Sequence, residues 1–285
     1  LTHGQHQGAL FNTHYGGHCF LPLLLLAQHE EGGPQYLLGA VLRPGKAPSG
    51  RASMWLLRRF MLRLQQAFPE CRLEVRADSG FASPEVYSGC EALGVDYTIS
   101  VSKNSRLLAL AEPWLQEAQA RFAETGQTAR VYGEVSYRAH SWAHSQRVVV
   151  KAEWMAQGPN PRFVTTSRSD LDPASLYSFY CQRGDAENRI KELKEDLHAD
   201  RLSCSRFLAN QFRLLLHAAA YVLLQALQEA LAGTELAAAQ VGTLRLKLLK
   251  VGARVRESVR RVAVSLPSAY PYVRFWERLI RAGPA

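Results

Sequence analysis

The segment from Tyr180 to Lys194 constrains this chain more than any other part of its sequence. It contains the spacing Tyr-x2-Arg-x3-Glu-x6-Lys, with Tyr180, Arg183, Glu187 and Lys194 at the fixed positions. At about 100° per residue, these four side chains would lie within roughly 60° of one another on one α-helix. A second, apolar stripe would seat the helix on a core, and its members are Phe179, Ala186, Ile190, Leu193 and Leu197. We therefore predict a helix over residues 176–197 that presents a carboxylate between two cations and a phenol.

Ordinary solvated helices also carry opposite charges four residues apart, as Arg183 with Glu187 and Glu187 with Lys191 would be here. The full spacing of four polar residues is more specific than either pair. Whether the polar stripe is a solvated face or a functional one therefore depends on the partners that the rest of the chain supplies.

The basic residues are concentrated near the C-terminus. The 285 residues carry a net charge of +9 with a pI of about 9.5. The stretch from Arg245 to Arg281 contains ten Lys and Arg but only two acids, Glu257 and Glu277. Such a segment indicates a polyanionic partner, most often nucleic acid, although a merely soluble arginine-rich surface has the same composition. The residues that we expect to contact DNA here are Arg245, Lys247, Lys250, Arg254, Arg256, Arg260 and Arg261.

Cysteine usage and hydropathy argue against a secreted or membrane protein. The five cysteines are scattered without a C-x-x-C pair, which is typical of reduced thiols in the cytosol. We expect no signal peptide, because the first residues lack the basic and apolar regions of one. The most apolar run, residues 214–231, is interrupted by His217, Gln225, Gln228 and Glu229, so we predict a buried helix and not a membrane span. We expect a cytoplasmic protein with no membrane partner.

The N-terminal part of the chain alternates strands and helices as an α/β layer does. The predicted strands cover residues 20–27, 36–43, 72–78 and 95–101, and the predicted helices cover 52–68 and 83–93. The first two strands form a hairpin around the turn at 30–34. Ser83 and Pro84 occupy the N-cap and first position of the second helix. This order requires at least one parallel crossover.

The pattern changes after Asn104. We predict a helix over 107–125, strands over 131–139, 146–155 and 161–166, the motif helix over 176–197, an apolar helix over 207–232 and a strand over 259–266. The chain then divides into an N-terminal core part (1–105), an insertion with β-strands (106–170), a C-terminal core part (171–233) and a basic segment (234–285).

Asp78 is the second candidate acid, because it ends a predicted strand just before the turn at Ser79-Gly80. Ligands gather at the carboxyl ends of strands in open α/β sheets, although an Asp here can also open a turn or cap a helix. An acid at a strand end and an acid on a helix that packs across the sheet can converge on Mg²⁺ or Mn²⁺. Two such ions about 4 Å apart would activate a nucleophile and stabilise the leaving oxygen in phosphoryl transfer.

These motifs resemble those of the DDE transposases of bacterial insertion sequences, in the group with the Tyr-Arg-Glu-Lys helix and a β insertion before it. The residues that carry the resemblance, over essentially the whole chain, are His3-Gly4-Gln5, Tyr15, Pro22, Arg76-Ala-Asp78-Ser-Gly-Phe81, Tyr97-Thr-Ile99, Asn104, Val164-Thr-Thr166, the Tyr180–Lys194 motif and Asn210-Gln-Phe212-Arg213. The resemblance implies a ribonuclease-H-like mixed α/β sheet with flanking helices, interrupted by a β-rich insertion.

The resemblance also implies functional roles. Asp78 and Glu187 would be the second and third metal-binding, catalytic acids, with two Mg²⁺ or Mn²⁺ ions in the intact enzyme. Tyr180, Arg183 and Lys194 would contact the DNA at the transposon end. The partners would be double-stranded DNA, as transposon ends and target, and a second copy of the chain in a nucleoid-associated homodimer.

One part of the family's pattern is missing from the sequence. The family's first catalytic Asp lies on the first core strand, just upstream of His-Gly-x-Gln, whereas the first acids here are Glu30 and Glu31, which fall in a turn. We therefore expect an N-terminally truncated transposase that lacks its first strand and is impaired in DNA cleavage. The alternatives are a nuclease of the same fold, which cuts but does not join, and a non-catalytic DNA-binding remnant.

Other polar and aromatic residues receive structural interpretations. We expect Asp185 and Asp196 to be solvated, because they point away from the polar stripe of the predicted helix. The tryptophans are expected to pack in the fold, with stacking of Trp142 or Trp154 on DNA as the alternative.

Overall fold

The structure, a computed structural model, describes residues 2, 4–29, 33–47, 50 and 53–282. His3 of the matched motif and the turn acids Glu30 and Glu31 lie outside the described residues. Two compact units divide the chain: a continuous unit, Ala47–Gly184, and a split unit, Leu1–Lys46 with Asp185–Ala285. The segment boundaries predicted at residues 105, 170 and 233 stay predictions.

The described residues form strands and helices along most of the chain. The strands are β1 (Leu10–Asn12), β2 (Gly17–Cys19), β3 (Leu23–Gln28), β4 (Gln35–Val41), β5 (Glu74–Ala77), β6 (Asp96–Val101), β7 (Ala129–Tyr137), β8 (Gln146–Met155), β9 (Gly158–Pro159), β10 (Arg162–Thr166), β11 (Arg254–Ser258) and β12 (Arg261–Ser265). The helices are α1 (Met54–Ala67), α2 (Pro84–Glu91), α3 (Ser105–Thr125), α4 (Pro173–Cys181), α5 (Gly184–Lys191), α6 (Phe207–Ala230), α7 (Val241–Leu244) and α8 (Val273–Ala282). A 3₁₀ turn covers Ser79–Phe81, and π-helical turns cover Glu192–Asp196 and Arg245–Leu249.

The continuous unit is built on one mixed sheet with the strand order β5-β6-β10-β8-β7, to which β9 adds beside β8. β5 and β6 are parallel, with Ala77 opposite Ile99, and α2 lies in the connection between them. The other pairs in this sheet are antiparallel. The predicted parallel crossover is therefore confirmed, as is the α/β class with a mixed sheet and flanking helices.

The strands predicted as an antiparallel insertion continue this same sheet. β10 pairs with β6 on one side and with β8 on the other, and β8 pairs with β7. The consecutive residues Val148, Val149 and Val150 are all fully buried, which means that both faces of β8 are covered. α3 and α4 pack against β8 and contribute to that cover.

Several helix ends of the continuous unit follow local sequence signals. Asn104 caps α3 through its side-chain oxygen, which accepts a hydrogen bond from the Leu107 backbone N–H at 2.9 Å, and Gly126 ends the helix in the left-handed conformation, with φ of 67°. Pro84 occupies the first position of α2 as predicted. Ser83 stands at the N-cap of α2 but makes no capping bond, and its buried hydroxyl has no partner among the described residues.

In the split unit, β3 and β4 form the predicted hairpin and pair only with each other among the described strands. α6 packs against β4, and two glutamines of α6 bond to the strand backbone. Gln211 Oε1 accepts a hydrogen bond from the Leu42 N–H at 2.6 Å, and Gln225 Oε1 accepts one from the Leu37 N–H at 3.2 Å. These bonds satisfy backbone groups of β4 and of the residue that follows it.

Burial of α6 is confined to one face, which corrects the prediction of a buried helix. Leu214, Tyr221 and Leu224 lie in the core of the split unit, whereas Leu223 is 71% exposed. By length and composition α6 is the one described helix that could cross a membrane, with a mean hydropathy of 1.3, and 28% of its most apolar window is buried. Packing of the buried face explains part of its apolar character.

The C-terminal segment contains four described elements that the sequence did not predict: α7, the π-helical turn at Arg245–Leu249, β11 and α8. The predicted strand over 259–266 is confirmed as β12, but it pairs with β11 in an antiparallel hairpin. α8 follows, with Phe275 buried and Trp276 and Leu279 packed against the core of the split unit. The strand β11 has Arg at alternate positions and is exposed along its whole length, so the apolar–polar alternation of a half-buried strand does not identify it.

Candidate metal-binding and DNA-binding residues

The carboxylate of Asp78 lies immediately after β5, at the carboxyl end of a parallel strand. Its backbone is extended, and its Oδ1 accepts a hydrogen bond from the Gly80 N–H at 2.9 Å, at the start of the 3₁₀ turn. The residue is nevertheless exposed. Asp78 therefore lies at the end of a strand and also caps a turn, the two positions that its sequence context predicts. The capping hydrogen bond uses only one of the several acceptor sites of the carboxylate.

Two arginines fix the end of α4 against the sheet. Arg76 of β5 donates from Nη1 to the backbone carbonyl of Phe179 at 2.9 Å and to Gln182 Oε1 at 3.3 Å. The guanidinium groups of Arg76 and Arg168 lie 4.5 and 5.1 Å from the centre of the Phe179 ring. Arg168 is held in turn by an ion pair with Glu74 at 3.1 Å. The strand that ends just before the candidate acid is thus tied to the end of α4, which carries Tyr180.

The chain from 176 to 197 is not one helix, which corrects the prediction. α4 ends at Cys181, Gln182 and Arg183 form a turn, and α5 continues into the π-helical turn that begins at Glu192. The continuous polar stripe assumed constant α-helical geometry, and the turn and the π-helical segment both change the angle between successive side chains. No Pro is present at this point, and Gly184, directly after the turn, is the local residue type that often marks the end of a helix.

The same turn lies at the boundary of the two units along the chain. Tyr180 and Arg183 belong to the continuous unit, whereas Glu187 and Lys194 belong to the split unit. In the continuous unit, the half-buried ring of Tyr180 lies 6.1 Å from the ring of Tyr177. The guanidinium carbon of Arg183 lies 6.0 Å from the centre of the Tyr180 ring. Tyr180 and Arg183 are therefore neighbours, as the motif predicts.

Glu187 and Lys194 are both exposed in the split unit. Glu187 lies in the first turn of α5, and Lys194 lies in the π-helical turn that follows. The predicted seating stripe beneath them is confirmed at Leu193, which is buried in the core, and at Leu197, which packs against it. Apolar residues thus hold this segment in place while its carboxylate and ammonium face solvent.

A buried carboxylate that the sequence reasoning missed lies five residues after Glu187. The side chain of Glu192 is 6% exposed. Its Oε2 accepts hydrogen bonds from Arg189 Nη1 at 3.0 Å and from the Tyr221 hydroxyl at 2.8 Å. Its Oε1 accepts a hydrogen bond from the Val241 N–H at 3.4 Å. Burial raises the pKa of Tyr221, and the hydrogen bond to Glu192 raises it further. Glu192 therefore joins the π-helical turn to α6 and α7 and serves as a structural acid.

The candidate metal ligands are exposed carboxylates, so neither is enclosed by hydrocarbon. Carboxylate oxygens are hard ligands that fit Mg²⁺ or Mn²⁺, and the donor chemistry of Asp78 and Glu187 therefore suits the predicted ions. Within the described parts of the chain, no group of three or more His, Cys, Asp and Glu side chains is arranged so that it could hold a metal ion.

The basic candidates of the C-terminal segment fall into two groups. Arg245 donates a hydrogen bond to the backbone carbonyl of Asp196, and the Lys247 ammonium lies 5.0 Å from the Tyr272 ring, so both have structural contacts. The remaining candidates are exposed: Lys250, Arg254, Arg256, Arg260 and Arg261.

Several other residues of interest have structural roles. Thr166 donates a hydrogen bond from its hydroxyl to the Tyr97 carbonyl at 2.9 Å inside the sheet. The prediction that Asp196 is solvated is wrong, because its Oδ2 accepts a hydrogen bond from the Gly242 N–H at 2.9 Å. Trp142 is buried, with its ring 5.1 Å from Tyr87, which confirms packing at this position.

A mixed sheet with an exposed carboxylate at the end of a parallel strand fits the class of metal-dependent enzymes that transfer phosphoryl groups. Comparison with models of protein families matches residues 1–282 to the family described as transposase DDE domain group 1. Because the match covers nearly the whole chain, the protein belongs to this family of DDE transposases. Membership implies a DNA substrate and, in general, divalent metal ions. A search of curated proteins finds no match.

Proposed function

We propose that this chain carries catalytic residues of a DNA transposase that cleaves and joins the ends of a bacterial insertion sequence on a ribonuclease-H-like core. The observation that carries the proposal is the exposed carboxylate of Asp78 at the end of a parallel strand, in a chain that matches the DDE family along its length. In this proposal Asp78 and Glu187 are the metal ligands, and family membership together with the Tyr-x2-Arg-x3-Glu-x6-Lys motif supports their joint role.

The roles of the chain's own residues follow from their chemistry. Divalent ions, when bound, supply charge stabilisation and a more acidic nucleophile in phosphodiester chemistry. Asp78 would hold its carboxylate in place through the bond from Gly80, and Glu187 would offer its carboxylate from α5. Arg183 and Lys194 would fix phosphate oxygens, because cationic donors match the phosphate backbone. Water and then a freed 3′-hydroxyl would attack the phosphodiester in line.

Tyr180 would position the DNA backbone instead of reacting with it. Its ring lies within reach of the Arg183 guanidinium, which leaves a phenol and a cation side by side for one stretch of backbone. The exposed basic residues from Lys250 to Arg261 would add salt-sensitive, non-specific affinity for double-stranded DNA. A cytoplasmic, nucleoid-associated homodimer that spans two DNA ends completes the proposal.

The family's catalytic set contains three acids, and this chain supplies two that match it. We therefore propose that the 285 residues bind DNA and metal ions but cleave DNA slowly. A non-catalytic DNA-binding remnant is the limiting case of this proposal, and a nuclease that cuts without joining is the other candidate. A strand-transfer assay distinguishes the nuclease, because joined products exclude a protein that only cuts.

The experiment compares Asp78→Asn and Glu187→Gln with Asp185→Asn, a matched control that removes one negative charge in the first turn of the same helix as Glu187. Nicking of supercoiled plasmid is measured in Mg²⁺ and in Mn²⁺, and DNA binding is measured by electrophoretic mobility shift. We expect the two ligand variants to lower nicking about a hundredfold or to background while DNA binding persists. Nicking that survives in either ligand variant, at the level of the Asp185→Asn control, would contradict the proposal.

A further inference from the structure

The hairpin of β11 and β12 separates its side chains into two chemically different faces. The register is regular, with Arg254 opposite Ser265, Arg256 opposite Ala263 and Ser258 opposite Arg261. Because side chains alternate along a strand and directly opposed residues share a face, these six residues lie on one side of the ribbon. The other side carries Val255, Glu257, Val262 and Val264. The one acid of the two strands is therefore on the face opposite the three arginines.

The cationic face is open to solvent and has no bulky neighbour. Arg254, Arg256 and Arg261 are exposed, and each of them stands opposite a small residue, Ser265, Ala263 or Ser258. Apart from Ala263, which is half-buried, all the residues of the two strands are exposed. A two-stranded ribbon with neither face packed is only marginally stable in water, so contact with a partner would stabilise it.

The arginines of the hairpin also differ from Arg274 and Arg278 of α8. Arg274 forms an ion pair with Glu235 at 2.9 Å, and Arg278 donates a hydrogen bond to the Ala232 carbonyl at 2.6 Å. Within the described part of the chain, the guanidinium groups of Arg254, Arg256 and Arg261 form neither an ion pair nor a side-chain hydrogen bond. The positive charge of the ribbon is therefore available to an external anion.

We propose that the Arg254, Arg256 and Arg261 face of this ribbon binds in the major groove of duplex DNA. The major groove of B-form DNA is wide enough for a two-stranded β-ribbon, and arginines match both its phosphate walls and the acceptor atoms of guanine. The major groove of an RNA duplex is too deep and narrow to admit side chains in this way. The inference rests on the proposed function, in which DNA is the substrate, and adds the element and face that contact it.

The test measures binding of a short fluorescein-labelled DNA duplex by anisotropy over a series of salt concentrations. Arg254→Gln, Arg256→Gln and Arg261→Gln are combined in one variant. Each phosphate contact contributes about −0.9 to the slope of log K against log salt. Loss of three contacts should therefore make this negative slope shallower by up to about 2.7, with weaker binding at every salt concentration. The RNA duplex of the same sequence should bind more weakly than DNA to the unmodified protein.

Three controls make the result specific to the ribbon face. The first control replaces three valines of the opposite face by threonine, which is also β-branched: Val255→Thr, Val262→Thr and Val264→Thr. This variant should leave the slope unchanged. The second control removes the same charge from exposed positions of α1, by Arg58→Gln, Arg59→Gln and Arg63→Gln. It should change the slope less than the loss of the three hairpin arginines does. Replacement of the three hairpin arginines by Lys keeps the charge and should keep the slope, which shows that loss of folding is not the cause.

An unchanged slope in the glutamine variant would overturn the inference, and so would an equal loss in the α1 variant, because net charge would then explain the binding. Equal affinity for the DNA and RNA duplexes would overturn the groove assignment. These outcomes are distinct from failure of the proposed function, which is read from nicking by the Asp78→Asn and Glu187→Gln variants. Those two variants should keep the salt dependence of the unmodified protein.

Discussion

Arg76 and Phe179 are joined by a hydrogen bond of 2.9 Å, from the guanidinium of the first to the backbone carbonyl of the second, and by contact of the same guanidinium with the Phe179 ring at 4.5 Å. The two residues are more than a hundred positions apart in the sequence. Because Arg76 precedes Asp78 by two residues and Phe179 precedes Tyr180, the contact links the strand of the candidate acid to the start of the Tyr-x2-Arg-x3-Glu-x6-Lys motif.

Replacement of Arg76 by Ala tests this link. The hydrogen bond involves a charged donor and is partly buried, so we expect the free energy of unfolding to fall by about 2 kcal/mol. Arg72→Ala is the control, since its side chain is 59% exposed and its ion pair with Asp96 should contribute less than about 1 kcal/mol. Chemical denaturation measures both values, and equal losses in the two variants would contradict a special role for Arg76.

The network around Glu192 predicts a coupled loss of stability. Glu192→Ala should lower the free energy of unfolding by about 3 kcal/mol, because it leaves the charge of Arg189 without its buried partner. Tyr221→Phe should cost about 1 kcal/mol by removing one hydrogen bond to the same carboxylate. The double variant should cost less than the two single losses together, because both remove the same contact. Additive losses would show that the two residues act independently.

The hydrogen bonds of Glu153 in β8 should make the folded protein less stable in acid than at neutral pH. Burial alone would raise the pKa of Glu153, but hydrogen bonds from Lys151, Arg130 and Asn160 outweigh burial and lower it from 4.5 to about 2. Because the folded pKa is depressed, its contribution to stability is complete above pH 4.5 and is lost as the pH falls towards 2. Glu153→Gln should therefore lower stability at neutral pH and flatten this part of the curve of melting temperature against pH.

The control for Glu153 is Glu134→Gln, which removes the half-exposed partner of Arg147. Its effect on stability should be small, because solvent screens an exposed ion pair. A pH profile that is the same in Glu153→Gln and in the unmodified protein would contradict the account of Glu153.

The sequence predicted the elements whose pattern is local. The strand β8 was located to the residue, because a run of valines with few polar interruptions identifies a strand covered on both faces. The end of α3 at Thr125 was predicted to the residue, and its start was predicted two residues late. The end of β5 was predicted at Asp78, one residue beyond its last residue, Ala77, because glycine turns act within a few positions.

The parts that the sequence did not predict depend on contacts between distant segments. The break after α4 has only Gly184 as a local signal, and a single glycine does not fix a helix end. The end of α4 is held by Arg76 and Arg168, which lie outside this segment of the sequence. The burial of Glu192 required knowledge that Tyr221 and Val241 lie beside it. Arg76 could have been found, because residues two apart on a strand share a face and Arg76 precedes the candidate acid by that spacing.

The most direct test of the central claim is a double-variant cycle on Mn²⁺ binding, measured by electron paramagnetic resonance with the unmodified protein, Asp78→Asn, Glu187→Gln and the combination. Removal of one ligand should weaken Mn²⁺ binding about tenfold or more, and the double variant should lose less than the product of the two single effects, because both carboxylates serve the same ions. Mn²⁺ affinity that is unchanged in the single variants, or effects that multiply independently, would contradict the claim that Asp78 and Glu187 act together.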